Sequence, residues 1–237
     1  MDASFTPNAG KQLDVVVDGA TYSRLPIKTR LITVGDDLIA LLQEYVSPFL
    51  APGDLLFVSE KIVCITQGRI IRASEVKTGW LAQFLSRKVR NYAGTPEFRG
   101  MGHGTAPAMQ LLIDEAGYPR VLIAAAVSAL TRNFVPGAFY YLVGKQAKSI
   151  DCPMSWTIPE FKEYAKMAPK NPNGVARQIR DTLGVETVII DANYRGAFSL
   201  GKSISTISEK FIRAVLADNP AGQDSEMTPF LIIRKVR

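Results

Sequence analysis

Glu186-Thr-Val-Ile-Ile-Asp-Ala-Asn193 is the stretch on which the fold reading turns. Four β-prone residues followed by Asp and Asn read as a buried strand that stops at a site-forming loop. In open α/β sheets, ligands bind beyond the carboxyl ends of strands. Two other aspartates sit at comparable stops. Asp151 ends Ala147-Lys-Ser-Ile-Asp, and Asp218 ends the helical pattern Phe211-Ile-Arg-Ala-Val-Leu-Ala217. A carboxylate at a helix C-terminus meets an already negative dipole, so a cation is expected to compensate it. Asp151, Asp191 and Asp218 together point to a shared divalent metal, because hard cations take carboxylate and phosphate oxygens alike. Each aspartate alone also fits ordinary turn chemistry.

The chain has 237 residues, 47% of them apolar, which bounds it to a globular protein with a sizeable core. Its 28 basic and 22 acidic residues give a net charge of +6. The excess suits an anionic small molecule. The basic residues are dispersed, which argues against nucleic acid. Two cysteines, Cys64 and Cys152, make no disulfide framework and fit a reducing, cytoplasmic setting. The polar first residues carry no signal-peptide pattern, and no apolar run is long enough to span a bilayer.

Residues 13–18 read as a short strand turned by Gly19-Ala20, and residues 22–33 alternate apolar and basic. Asp36 or Asp37 caps a helix carrying Leu38, Leu41, Leu42 and Tyr45. Residues 54–59 read as a buried strand and 61–71 as a second, with Glu60 at a bend or hairpin and Cys64 a buried thiol. A helix is expected over 80–89, with Trp80 in the core. The sole histidine, His103, lies between glycines in a loop; it reads either as a phosphate contact or base, or as a flexible surface residue. Residues 106–115 read as a helix, 120–127 as a core strand and 136–142 as a turn followed by an aromatic strand. Residues 152–168 are irregular, with Trp156 available to stack or pack. Asn171-Pro172-Asn173 caps a helix, 206–217 is the last helix and 230–233 the last strand. The mixture lacks strict βαβ alternation, so α+β and α/β both remain open.

Gly196-Ala-Phe-Ser-Leu-Gly201-Lys202-Ser203 fits the phosphate-loop pattern G-x-x-x-x-G-K-[ST]. The intervening residues 192–195, the few residues left after Ser203 and the basic end of the last strand all count against a true P-loop.

Several stretches, taken in order, resemble the coenzyme F420-0:L-glutamate ligase family. They are Pro26-Ile-Lys-Thr-Arg-Leu-Ile-Thr-Val-Gly-Asp-Asp-Leu38, Gly53-Asp-Leu-Leu-Phe-Val-Ser-Glu-Lys-Ile-Val-Cys-Ile-Thr-Gln-Gly-Arg69, Ile150-Asp151 followed by residues 168–177, Val188-Ile-Ile-Asp191 with Asn193 and Arg195, and Leu216-Ala-Asp218 leading to Thr228-Pro229. The resemblance implies residues 1–21 as an N-terminal extension and 22–237 as one domain. It implies a mixed α/β ligase fold and an intertwined homodimer.

It also implies an amide-forming ligase that uses GTP and Mg²⁺ or Mn²⁺. The γ-phosphoryl group would activate a carboxylate on an anionic acceptor, and the amine of an amino acid of glutamate type would then attack. The family's metal carboxylates match Asp151, Asp191 and Asp218. Its nucleotide-contacting positions match Lys28, Thr29, Arg30, Leu31 and Glu60, with Asn219 and Gln223 in the loop after Asp218. This chain departs from the pattern at several places. Ala192 stands where the family has a hydroxyl residue, Glu60 and Ile65 where it has serine and lysine, and Tyr194 where it has glycine. Residues 92–144 match poorly. Gln223 and Glu226, in the loop after Asp218, are side chains that could replace the missing hydroxyl. The departures leave a second reading, a non-catalytic relative that binds a nucleotide or phosphorylated ligand.

Overall fold

The structure is a computed structural model and describes residues 5–89, 103–131, 133–135, 137–155, 157–193, 196–222 and 225–236. The chain forms two compact units, residues 1–68 with 169–237, and residues 69–168. It begins with β1 (Asp14–Val17) and β2 (Ala20–Ile27), joined by a two-residue turn. Asp18 and Gly19 both take positive φ, at 48° and 82°, and Val17 pairs with Ala20. That is the hairpin turn whose twist matches the flanking strands. Next come α1 (Leu38–Tyr45), capped by the Asp37 carboxylate on the Ala40 N–H, β3 (Leu55–Ser59) and α2 (Glu60–Thr66).

The second unit opens with β4 (Ile70–Arg72), α3 (Trp80–Ser86) and α4 (Ala106–Ala116). It continues with α5 (Tyr118–Thr131), α6 (Ala138–Val143), α7 (Lys145–Lys148) and β5 (Tyr164–Lys166). The first unit resumes with α8 (Pro172–Leu183), β6 (Glu186–Asn193), β7 (Gly196–Lys202), α9 (Glu209–Val215) and β8 (Phe230–Lys235).

The first unit is a six-stranded sheet in the order β1-β2-β8-β3-β6-β7. Its neighbours run antiparallel except β3 and β6, which are parallel. One face packs Phe57, Val188, Ile190, Leu231 and Ile233 against Ile212, Val215 and Leu216 of the α9 segment. The alternate residues Leu56, Val58, Ile189, Phe230 and Ile232 are also buried, so the sheet is covered on both sides, with α8 lying against β6 and β7. In the second unit the β4–β5 ribbon is antiparallel, and helices α3 to α7 enclose a core that includes Leu81, Met109, Leu112, Val121 and Ile150. The architecture is mixed α/β. No helix among the described residues is long and apolar enough to cross a membrane.

Three expected strands are helices. Residues 60–66 form α2, although Ile62, Val63, Ile65 and Thr66 are β-branched. The propensity penalty is under about 1 kcal/mol per residue. Burying Val63, Cys64 and Ile65 is worth roughly 1.5–3 kcal/mol for each large side chain and overrides it. The run at 120–127 belongs to α5, where Ala124-Ala125-Ala126 favours helix and a short apolar run has no diagnostic period. Residues 138–143 form α6 between Gly137 and Gly144, both with positive φ. Trp80, expected in the core, is 76% exposed on α3, which buries Leu81, Ala82 and Leu85 instead. His103, as a surface residue, is also corrected. It is buried, its Nε2 lies 3.1 Å from the Ala147 carbonyl, and it leans on the Tyr140 ring. Trp156 lies outside the described residues.

Candidate functional site

Strand register brings four chain segments to one end of the six-stranded sheet. Ser59 is in register with Ile190, Val58 with Phe230, and Phe230 with Ile27. The residues following β2 and β3, the continuation of β6, and the residues preceding β8 therefore meet there. This is the carboxyl end of the parallel β3–β6 pair, where open sheets bind ligands. Two backbone bonds tie the ends together. Ser59 N–H donates to Pro229 O at 2.9 Å, and Thr29 N–H donates to Met227 O at 2.9 Å.

Lys28, Thr29, Arg30 and Leu31 follow β2 directly. Lys28 is exposed and has no hydrogen-bond or ion-pair partner among the described residues. Thr29 is buried and its hydroxyl donates to Arg30 O at 2.8 Å. Arg30 grips Asp36 with both terminal nitrogens, at 2.9 and 2.6 Å, and also donates to Leu31 O at 3.0 Å. The Arg30 hydrogen bonds, followed by the Thr33 N–H, hold the Asp36 carboxyl well below the usual carboxylate range. Much of the Arg30 charge is thereby answered within its own loop. Glu60 opens α2 at the end of β3. It is 2% exposed, and the Cys64 thiol donates to its Oε2 at 3.6 Å.

Asp191 lies within β6, half-buried and paired with Phe198 of β7. The strand does not stop there but continues through Ala192 to Asn193. The phosphate-loop pattern is absorbed into the fold differently: residues 196–202 are β7, an extended strand and not a phosphate-wrapping loop.

The described residues after α9 are held by several hydrogen bonds. Asp218 accepts from both terminal nitrogens of Arg24, from Nη2 at 3.0 Å and from Nη1 at a shorter separation. Arg24 is 2% exposed and also donates to Val215 O and Gln12 O. Burial alone would raise the Asp218 carboxyl, but the Arg24 hydrogen bonds and charge outweigh it and pull the group down. Lys11 Nζ donates to Asp218 O at 2.6 Å. Asn8 Nδ2 donates to Pro220 O and to Thr228 Oγ1, each at 2.8 Å. Asn219 takes a left-handed φ of 51° and donates through Nδ2 to Gly222 O at 2.7 Å. Its Oδ1 is buried with no hydrogen-bond partner. Met227 is a second non-glycine residue at positive φ, 53°. Strained backbone beside an unsatisfied buried acceptor is the pattern of a loop shaped for a ligand. Gln223 lies outside the described residues.

Asp151 belongs to the second unit. Its backbone exchanges hydrogen bonds with Lys166, and its Oδ2 lies 3.7 Å from the fully buried Lys166 ammonium. That ammonium also donates to Ser149 O. Among the described residues no three His, Cys, Asp or Glu side chains are grouped to hold a metal ion. Asp218 faces a guanidinium and Asp151 an ammonium, so each of these two carboxylates has a protein cation beside it. Arg24, Asn8 and Lys11 were not among the expected site residues. Arg24 sits in an alternating strand, and the other two in a polar leader, so no local pattern marks them.

The F420-0:gamma-glutamyl ligase family model matches residues 26–225, which takes in Lys28 to Leu31, Glu60, Asp191 and Asn219. A search of curated proteins finds no match. The chain belongs to the F420-0:gamma-glutamyl ligase family.

Proposed function

We propose that the chain is a nucleoside-triphosphate-dependent ligase, with GTP as the co-substrate, that joins a carboxylate of an anionic acceptor to the amine of an amino acid of glutamate type. The observation that carries this reading is the convergence of Lys28–Leu31, Glu60, Asp191 and residues 227–229 at one end of the sheet. Lys28 offers an uncommitted cation to phosphate oxygens. Asn219 Oδ1 offers an acceptor to an N–H donor of the ligand.

In the chemistry proposed, a carboxylate oxygen of the acceptor attacks the γ-phosphorus and the nucleoside diphosphate leaves. The amine then attacks the acyl carbon, inorganic phosphate leaves, and the amine's proton passes to a base. Glu60, buried beside the convergent ends, is a carboxylate able to take it. Mg²⁺ or Mn²⁺ is expected with a triphosphate. Asp191, at the convergent sheet end, would hold it beside the phosphate oxygens, and no step runs through it. A homodimer belongs to the same reading and is tested by sedimentation.

Phosphate release from GTP that requires both a carboxylate acceptor and an amino acid is the expected result. A second reading, a ligand-binding relative without catalysis, is favoured by Ala192 beside Asp191 and by the Arg24 charge on Asp218. It predicts nucleotide binding with no phosphate release under any acceptor.

A further inference from the structure

We infer that the hollow between α8 and the end of β7 is a separate binding subsite for the phosphate of a small phosphomonoester. The cavity has a volume of about 320 Å³ and is lined by Asn173, Arg177, Lys202, Ser203 and Ser205. Every lining side chain carries a hydrogen-bond donor and none is acidic. The volume lies at the small end of the range for small-molecule sites and exceeds what a bare phosphate fills.

The nearby charges decide which group is available. Arg180 is held by Asp181, at 2.9 and 2.7 Å, and also donates to Ser203 O. Lys202 Nζ donates to Ile207 O at 2.6 Å and faces Glu209 at 3.7 Å. Glu186 takes the Ser203 hydroxyl at 2.5 Å, and Glu209 takes the Ser199 hydroxyl at 2.5 Å. Arg177 is different: it is exposed and has no hydrogen-bond or ion-pair partner among the described residues. It stands four residues after Asn173 on the same face of α8. Asn173 Oδ1 accepts from Lys202 N–H at 2.9 Å, which leaves the amide's NH₂ to donate. The exposed Ser205 hydroxyl also has no partner among the described residues. A guanidinium, an amide NH₂ and a hydroxyl around one hollow match the three oxygens of a phosphomonoester.

The same geometry explains the Gly-Lys-Ser end of the phosphate-loop pattern. A Cβ on Gly201 would lie 2.3 Å from Pro172 C and 2.6 Å from Asn173 N. The bare glycine lets β7 approach α8 closely enough for Lys202 N–H to reach Asn173. Lys202 is in register with Val188, well short of the Asn193 end of β6. The subsite therefore does not depend on the nucleotide reading.

The test is calorimetric titration of the full chain with glycerol 3-phosphate, and with acetate as the carboxylate arm, on wild type, Arg177→Gln and Arg177→Lys. Saturable binding of the monoester is expected, weakened about tenfold or more in Arg177→Gln, as for loss of a charge-assisted bond. Arg177→Lys restores part of it. Urea midpoints should agree across the three proteins, since Arg177 is exposed. Absence of saturable binding to wild type, equal affinity in Arg177→Gln, or acetate binding as tightly as the monoester overturns the assignment. A parallel loss of GTP affinity in Arg177→Gln would place the residue in the nucleotide site and overturn a separate subsite. A protein that binds the monoester but no GTP at all would sink only the ligase reading.

Discussion

Arg24 and Asp218, 194 positions apart, close a two-armed ion pair in which the arginine is 2% exposed and the carboxylate 37% exposed. The pair fixes the start of the 219–228 loop to the middle of β2. It also answers the question raised by a carboxylate after the α9 helix: the compensating cation is a guanidinium.

Asp218→Asn should therefore destabilise the protein by about 1–3 kcal/mol, the cost of leaving a buried guanidinium without its counter-charge, discounted for the exposed carboxylate. Urea denaturation reads it directly. Metal affinity should not follow. A variant of wild-type stability that has lost Mg²⁺ dependence would mark Asp218 as a ligand and not a counter-ion.

The buried His103 predicts a pH dependence. Burial lowers its pKa from 6.5 to about 4, against the opposing pull of Asp151 and the Ala147 carbonyl. The carbonyl only accepts, so Nε2 carries the proton of the neutral ring. The unfolded chain binds a proton below about pH 6.5 and the folded chain only below about pH 4. Stability is complete above 6.5 and declines as pH falls towards 4, by a total on the order of 3 kcal/mol. His103 is the only histidine. Replacing it with Gln should flatten the slope between pH 4 and 6.5, as followed by urea midpoints. An unchanged slope would show that the ring titrates as if exposed.

Gly201→Ala should cost about 1–3 kcal/mol through forced separation of β7 from the start of α8. The clash is with Pro172 and Asn173 backbone, which has no rotamer to yield. Thermal unfolding at wild-type midpoint would contradict the close approach.

Lys28→Ala should weaken GTP binding about tenfold, the share of one charge-assisted hydrogen bond, while the unfolding midpoint stays put. Arg30→Ala should weaken it less, because Arg30 is already engaged by Asp36. The reverse order would mean that Asp36 releases Arg30 when ligand binds.

Some of this was legible in the residues. β3, β6 and β8 contain short apolar runs bounded by Asp, Gly or Pro, and the Asn171-Pro172 cap announces α8. The family resemblance named the segments that register then gathers at one sheet end. α2, α5 and α6 were not legible as helices, because short apolar runs carry no period that separates strand from buried helix. The Arg24–Asp218 pair was invisible for a different reason. It is a tertiary contact between an apparently ordinary strand arginine and a turn-like aspartate, and nothing local signals it. The orphan Oδ1 of Asn219 is likewise a property of packing.

The most direct measurement is calorimetry of the purified protein titrated with GTP and with ATP, each with and without Mg²⁺ or Mn²⁺, repeated on Asp191→Asn. Tight binding of GTP to wild type, dependence on the divalent ion and at least about tenfold loss in the variant are the expected results. Failure of either nucleotide to bind under every metal condition would contradict the ligase reading, and the convergent sheet end would then have to serve a different ligand.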